Sequence, residues 1–400
     1  MIPETISVDG LEKDMCAWRR HLHACPETGF EEHETASFLG EKLNSFGLQV
    51  ACGVGGTGVV ATLQAGREGR AIGLRADMDA LQLQECNDVP YASRNPGKMH
   101  ACGHDGHMAM LLGAARLLAG LSDFHGTVHF VFQPAEEHGR GAKAMIADGL
   151  FERFPMDAIY GLHNMPGLPA GCFATRPGGI LASEDNFVIR IHGRGAHAAR
   201  PHMGVDPIVA GAEIVLALQT IVARKIDPTD QAVVSVTEFI TDGLRNALPG
   251  NVTLKGDTRS YLPAVQALIE QRMAAIAAGV CGAHGATHEF EYTHEFEPTV
   301  NSPDHVAMAV AAAREVAGTH HVDGNCAPVL ASEDFGAFLT KVPGNFMFIG
   351  AGAAGEKYGT PLHNPRYDFN DGILLLGARY LAEIAYAAAG LSGSQRWRSQ

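Results

Sequence analysis

Several features that would place a chain at once are missing from these 400 residues. No stretch reaches the roughly 18 uninterrupted apolar residues of a membrane-spanning helix, so no membrane span is expected. The opening "MIPETISVDGLEKDM" has neither a basic start nor an apolar core, so no signal peptide is expected. Basic charge is not in excess: 30 Lys and Arg stand against 44 Asp and Glu, a formal net charge of −14. Nucleic-acid binding needs a basic patch, so that class of partner is set aside. There is no C-x-x-C pair. The eight cysteines (Cys16, Cys25, Cys52, Cys86, Cys102, Cys172, Cys281 and Cys326) are scattered, the pattern of reduced thiols in the cytoplasm. Neither an internal repeat nor a low-complexity tract is found.

What is present suits a large globular core. Apolar residues make up 46 % and charged residues 18 %, and the length fits two domains. "EKDMCAWRRHLHACPE" and "EEHETASFLGEKLNSFG" read as helices. Strand-like "GVVATLQA", "AIGLRADMDAL", "TVHFVFQPAEE" and "AIYGLHNMP" then alternate with helix-like "GHMAMLLGAARLLAG" and "GRGAKAMIADGLFERF". Such alternation predicts an α/β layered domain. From about Ser183 the order becomes β-α-β-β-α-β, the ferredoxin-like split unit. The α/β pattern resumes after Glu297-Pro298 and runs to a helix in "DGILLLGARYLAEIAYAAAG", with "LSGSQRWRSQ" expected as a frayed tail. The predicted division is a discontinuous domain of 1–182 and 295–400 with an inserted domain at 183–294.

Sheets of this kind carry their sites at strand ends. Asp77 and Asp79 close one strand, Glu136 and Glu137 another, and His163 a third; Cys102 and His104 lie before a helix, and His363 at a further strand-to-helix junction. Cys102, His104, Glu137, His163 and His363 offer five donors of the thiolate, imidazole and carboxylate kinds that suit Zn²⁺ or Mn²⁺. Five exceed the three usual at one catalytic zinc, so a two-metal site is plausible, with one of the vicinal glutamates ligating and the other carrying protons. Each residue has a plainer reading on its own. His100 and His107 read as hydrogen-bonded histidines at a helix entry, Asp105 as an N-cap, the glutamate pair as a solvated loop, and Cys102 as a small buried hydrophobe. A Cys102 thiol nucleophile and a metal-binding module without turnover also stand as alternatives.

The motifs "RADMDAL", "MHACGHDGHMAMLLGAA", "FQPAEEHGRGAKAMIADG", "GLHNMPGLPAG", "GRGAHAARPHMGVDPI", "SEDFGAFL" and "PLHNPRYDFND" resemble the aminoacylase and hippurate hydrolase branch of the two-metal peptidase family. Plant auxin-conjugate hydrolases and carboxypeptidase G-type enzymes belong to that family too. The resemblance runs along nearly the whole chain. It implies a catalytic domain with a mixed sheet flanked by helices, plus an inserted lid and dimerisation domain. Cys102, His104, Glu137, His163 and His363 would ligate two divalent ions: Mn²⁺ or Zn²⁺, with Co²⁺ or Ni²⁺ also possible. Glu136 would be the general base and His197 the lid histidine at the oxyanion. Asn246 and Arg259 would hold the substrate, and Asp79, with Asp77, would orient a ligand. The substrate implied is a small N-acyl-amino acid, and the assembly a homodimer or homotetramer through the lid. Dipeptide, N-carbamoyl or dedicated deacetylase substrates are the alternatives within the family. The chain departs from the pattern at His138, at "NALPG", and at Asp257, where the branch commonly has glycine, N-V-I-P-D and threonine.

Overall fold

The computed structural model describes residues 8–66, 69–121 and 124–390. The extreme N-terminus and the expected tail at 391–400 lie outside the described residues. Two compact units emerge. One comprises the chain through Ile180 with Asn301–Ala327 and everything from Asp334 onward; the other comprises Leu181–Val300 with Pro328–Glu333.

The first unit is built on a mixed eight-stranded sheet. Its strands run in the spatial order Gln49–Val54, Gly58–Ala65, Gly126–Gln133, Ala71–Asp77, Ala158–Gly167, Gly344–Ala353, Phe173–Ala174 and Val322–Asp323. Its centre is parallel: Ala71–Asp77 pairs in parallel with both Gly126–Gln133 and Ala158–Gly167, which pairs in parallel with Gly344–Ala353. Parallel strands covered on both faces read as continuous apolar runs, and Gly344–Ala353 is buried at nine of its ten positions. The helix His104–Ala119 is apolar from Met108 to Ala115 and buried at 14 of 16 residues, so its polar first turn is held in the core. It packs against Val8–Ala24 and Leu374–Ala388. The last contact is close because Gly377 faces Met110 and Gly113 faces Ala378, leaving no room for a Cβ on either glycine.

The second unit is a four-stranded antiparallel sheet, ordered Ala232–Thr241, Asn251–Ser260, Glu184–His192, Thr287–Phe296. With the helices Pro207–Lys225 and Pro263–His284 this is the split β-α-β-β-α-β unit. Burial alternates strictly along Asn251–Ser260, as a sheet covered on one face requires. The helix Pro207–Lys225 is long and apolar enough to cross a membrane by length and composition. Its buried residues Ala210, Ile214, Leu218 and Ile221 fall on one stripe that joins the core of this unit, and Asp206 caps its N-terminus.

Three local expectations are corrected. "GRGAKAMIADGLFERF" forms two helices, Gly141–Ala147 and Leu150–Arg153, because Gly149 (φ 80°) breaks the run. His163 lies within the strand Ala158–Gly167 rather than at its end, since pairing with Gly344–Ala353 carries that strand onward. The cap of His104–Ala119 is Gly103, not Asp105, whose carboxylate instead meets His23.

Candidate metal centre

The centre is assembled by two carboxylates, three imidazoles and one thiol of the first unit. Cys102, Glu137 and His363 offer donor atoms within 4.8 Å of one another, as do His104, Glu136 and Glu137, so Glu137 belongs to both groups. Cys102 Sγ lies 3.5 Å from His163 Nε2, and His363 Nε2 lies 3.4 Å from Glu137 Oε1. His104 Nε2 stands 3.9 Å from both Glu136 Oε2 and Glu137 Oε1. All five residues expected to ligate are therefore brought together with Glu136.

The backbone dictates how each side chain is aimed. Gly103 turns the chain into the helix at φ 97°, and a Cβ there would sit 2.3 Å from Asn164 Oδ1, so glycine is required. His104 donates Nδ1–H to the Asp79 carbonyl (2.8 Å) and His163 donates Nδ1–H to the Asn164 carbonyl (2.7 Å). Both rings thereby present Nε2 to the cluster, the usual way a protein fixes a ligating imidazole. His363 is itself left-handed (φ 60°), tied by its N–H to the Ala101 carbonyl at 2.8 Å.

Vicinal glutamates on a strand would point to opposite faces. Here the strand ends at Gln133, Ala135 takes a left-handed conformation (φ 49°), and Glu136–His138 forms a single 3₁₀ turn. Asp79 stabilises that turn by accepting the N–H groups of Glu136 and Glu137, each at 3.0 Å. Asp79 thus orients the glutamate pair directly. Asp77 lies on another side of the same cluster, 3.7 Å from His104 Nε2, and accepts from Arg75 (2.8 Å) and from His107 Nδ1 (2.6 Å), while Arg75 is braced by Gln133 and Asp334.

The donor set fits divalent ions. His104 Nε2 and Glu137 Oε1 are buried without a hydrogen-bond partner among the described residues. Such groups are costly unless something cationic or hydrogen-bonding meets them. Ligands about 2.1 Å from a tetrahedral ion stand roughly 3.4 Å apart, which is near the spacings found. Charge points the same way. Burial works against an imidazolium, yet Asp77, Asp79 and Glu137 outweigh it and push His104 up to about 10. Burial and the neighbouring His107 hold His163 well below the usual histidine range, leaving a neutral ring with a lone pair. Against the penalty of burial, His104, His107 and Arg75 hold Asp77 well below the usual carboxylate range.

His107 shares the cluster, but both its nitrogens are engaged, Nδ1 by Asp77 and Nε2 by Asn164 Oδ1 at 2.6 Å. Its ring packs on His163 at 4.4 Å between centroids. His107 is thus the hydrogen-bonded histidine at the helix entry that its position suggested, whereas the part of Asn164 was not visible in the sequence, where "GLHNMP" carries no signal beyond the histidine itself.

The remaining expected residues lie in the second unit. His197 is exposed on the two-residue strand Ala196–His197, opposite Ala247. Its Nδ1 accepts the Ala199 N–H at 3.1 Å, which places the ring proton on Nε2 and makes the outer edge a donor. Asn246 is beside it, its carbonyl accepting the Ala198 N–H at 3.0 Å. Arg259 is not free to act as a bare fork: it meets Glu184 at 2.7 Å, Asp257 at 3.0 Å and Ser332 at 2.7 Å.

Comparison with known proteins matches residues 73–387 to the Peptidase family M20/M25/M40. The chain belongs to that family. It is 39 % identical to a hippurate hydrolase of Campylobacter jejuni over 385 residues, covering 96 % of this chain and 98 % of that protein. It is 42 % identical to an N-acyl-L-amino acid amidohydrolase of Geobacillus stearothermophilus over 313 residues, covering 77 % and 84 %. Among solved structures, a dinuclear metal-binding peptidase of the M20 family from Bacillus subtilis superposes with a TM-score of 0.83 at 30 % identity, covering 96 % of this chain and all of that one.

Proposed function

We propose that this chain is a metal-dependent amidohydrolase that cleaves the amide bond of N-acyl-amino acids, releasing a carboxylic acid and a free amino acid. One observation carries the reading: His104 Nε2 (3.9 Å) and His363 Nε2 (3.4 Å) both face a buried Glu137 oxygen that has no hydrogen bond among the described residues, with a second glutamate, Glu136, on the same turn. The relatives named hippurate hydrolase and N-acyl-L-amino acid amidohydrolase supply the substrate class.

Cys102, His104, Glu137, His163 and His363 would hold two divalent ions, with Mn²⁺ or Zn²⁺ fitting the mixed sulfur, nitrogen and oxygen set. Ions bound there would supply Lewis acidity that lowers the pKa of water and polarises the acyl carbonyl. Glu136 takes the proton of the attacking water and returns it to the leaving amine. Its side chain is buried, and its backbone is tied to Asp79 through the Glu136 N–H. His197, with its proton on Nε2, donates to the developing oxyanion, and Asn246 beside it supports the substrate carbonyl. Arg259 supplies local positive charge for the amino-acid carboxylate, which would compete with Glu184 and Asp257.

The inserted unit would serve as lid and as the surface for a homodimer or homotetramer. Its edge strand Ala232–Thr241 exposes Phe239 and Ile240, and the nearby Leu244 is 74 % exposed, an apolar edge suited to association. The test of the catalytic reading is Glu136→Gln in the metal-loaded protein, assayed on N-benzoyl- and N-acetyl-amino acids with N-carbamoyl-amino acids and dipeptides alongside. The expected result is full metal content with kcat reduced by a factor on the order of 10³ or more. Retained turnover would remove Glu136 as the base, and preference for dipeptides or N-carbamoyl compounds would move the substrate class.

A further inference from the structure

Glu32 is a fully buried carboxylate far from the metal ligands in sequence. It sits at the N-terminus of the helix His33–Ser45, yet it makes no capping bond to that helix. Both its oxygens are turned away from it. Oε2 accepts the Thr57 hydroxyl, and Oε1 accepts the backbone N–H of Ala135 at 2.9 Å. Ala135 is the left-handed residue that opens the glutamate turn, at φ 49° and fully buried. Together with Asp79, which takes the next two amides, Glu32 completes a run in which the N–H groups of 135, 136 and 137 are each received by a buried carboxylate.

A left-handed alanine is a strained conformation that persists only when its surroundings impose it. A carboxylate is a strong acceptor for a backbone N–H, and burial removes water as a competing partner. The same burial, with the charge of Asp79, pushes the Glu32 carboxyl up to about 7, a cost that a chain could avoid by placing an amide or a leucine there. The Thr57 hydroxyl partly offsets it.

We propose that Glu32 is a positioning residue for the reaction: through Ala135 it holds the turn that aims Glu136 at the water. This rests on the reading of Glu136 as the general base. Glu32 receives Ala135 and Thr57 rather than a ligand, and the Glu137 N–H stays with Asp79, so removing Glu32 should leave the metals in place and disturb the aim of the base.

The test uses the full-length, metal-loaded protein with N-benzoyl-glycine as substrate. Glu32→Ala is expected to lower kcat about tenfold or more, with KM within about threefold and metal content unchanged, because a buried N–H is left unpaired and the strained turn loses its clamp. Glu32→Gln, which keeps an acceptor for Ala135, should recover most of the rate. The double variant Glu32→Ala with Ala135→Gly should also recover part of it, because glycine adopts the left-handed conformation without strain. That rescue is a readout that a general loss of stability would not give. Glu32→Leu, which fills the volume without an acceptor, replaces Glu32→Ala if the latter does not fold. A kcat within threefold of the parent in either variant overturns the proposal. So does a loss that Ala135→Gly cannot relieve, or failure of both variants to fold, since each reduces Glu32 to a stability role. Glu136→Gln run in parallel separates the two ideas: its retained turnover would defeat the base assignment, whereas its inactivity beside a normal Glu32→Ala would defeat only the positioning role.

Discussion

The buried His23 makes a measurable prediction about stability and pH. Its Nδ1 faces Asp105 Oδ2 at 2.8 Å and its Nε2 faces Glu85 Oε1 at 3.2 Å. Two carboxylates on two ring nitrogens require two N–H donors, so the ring is an imidazolium in the folded chain. Burial opposes the charge, but Asp105 and Glu85 outweigh it and raise the pKa to about 9, against 6.5 for an unperturbed histidine. A raised folded-state pKa stabilises most where both states are protonated. The contribution is complete below pH 6.5, declines as pH rises, and is gone above about 9. A difference of about 2.5 pKa units corresponds to roughly 3 kcal/mol over that window, or a slope of about 1.4 kcal/mol per pH unit. The attraction to Asp105 is the same one that holds that carboxyl low, and it is counted once. The assay is urea unfolding at fixed metal concentration from pH 6 to pH 10, in the parent and in His23→Gln. Between about pH 6.5 and 9 the parent should lose about 1.4 kcal/mol per pH unit more than the variant. Equal slopes in the two proteins, or a flat profile in the parent, would refute the assignment of the proton to His23.

Two further outcomes follow from the site. Asp79→Ala leaves the buried N–H groups of Glu136 and Glu137 without their acceptor; metal affinity by calorimetry should fall about 10–100-fold, and an unchanged affinity would show that the turn holds itself. Gly103→Ala places a Cβ 2.3 Å from Asn164 Oδ1 on a left-handed backbone; the urea midpoint should fall by an amount worth about 2–4 kcal/mol, and a neutral result would mean that the loop moves freely.

The α/β alternation and the inserted split unit were legible because each element has its own period and its own stop. Asn251–Ser260 alternates cleanly, and Pro207 and Pro263 mark helix starts. The side chains that the fold brings together at the centre stood out in the sequence as metal-capable residue types at loop and strand positions, sharpened by the family resemblance. What could not be read is how backbone groups aim those side chains. The carbonyls of Asp79 and Asn164, the left-handed Ala135, and the amides received by Asp79 and Glu32 have no side-chain signature. The strand Gln49–Val54 was also missed, since "QVACGV" is short and exposed along much of its length. Asp105 read as a helix cap because it is acidic and near a helix start; its burial against His23 and Arg19 depends on residues more than 80 positions away.

The electrostatics of the centre explain why these supports are needed. Asp77, Asp79, Glu136 and Glu137 converge on the first turn of one core helix, in a chain already carrying a net charge of −14. Without ions, His104 answers that concentration of negative charge by keeping a proton up to about pH 10. A protonated Nε2 cannot ligate, so ion binding must displace that proton, and affinity must rise with pH. The carboxylates that would attract a cation are therefore the same ones that would oppose its binding through His104. His104 has its Nδ1–H committed to a carbonyl, so the only proton it can release is the one on Nε2, where the ion belongs. Fixing the imidazole by its far nitrogen leaves Nε2 as the one atom through which His104 would ligate an ion.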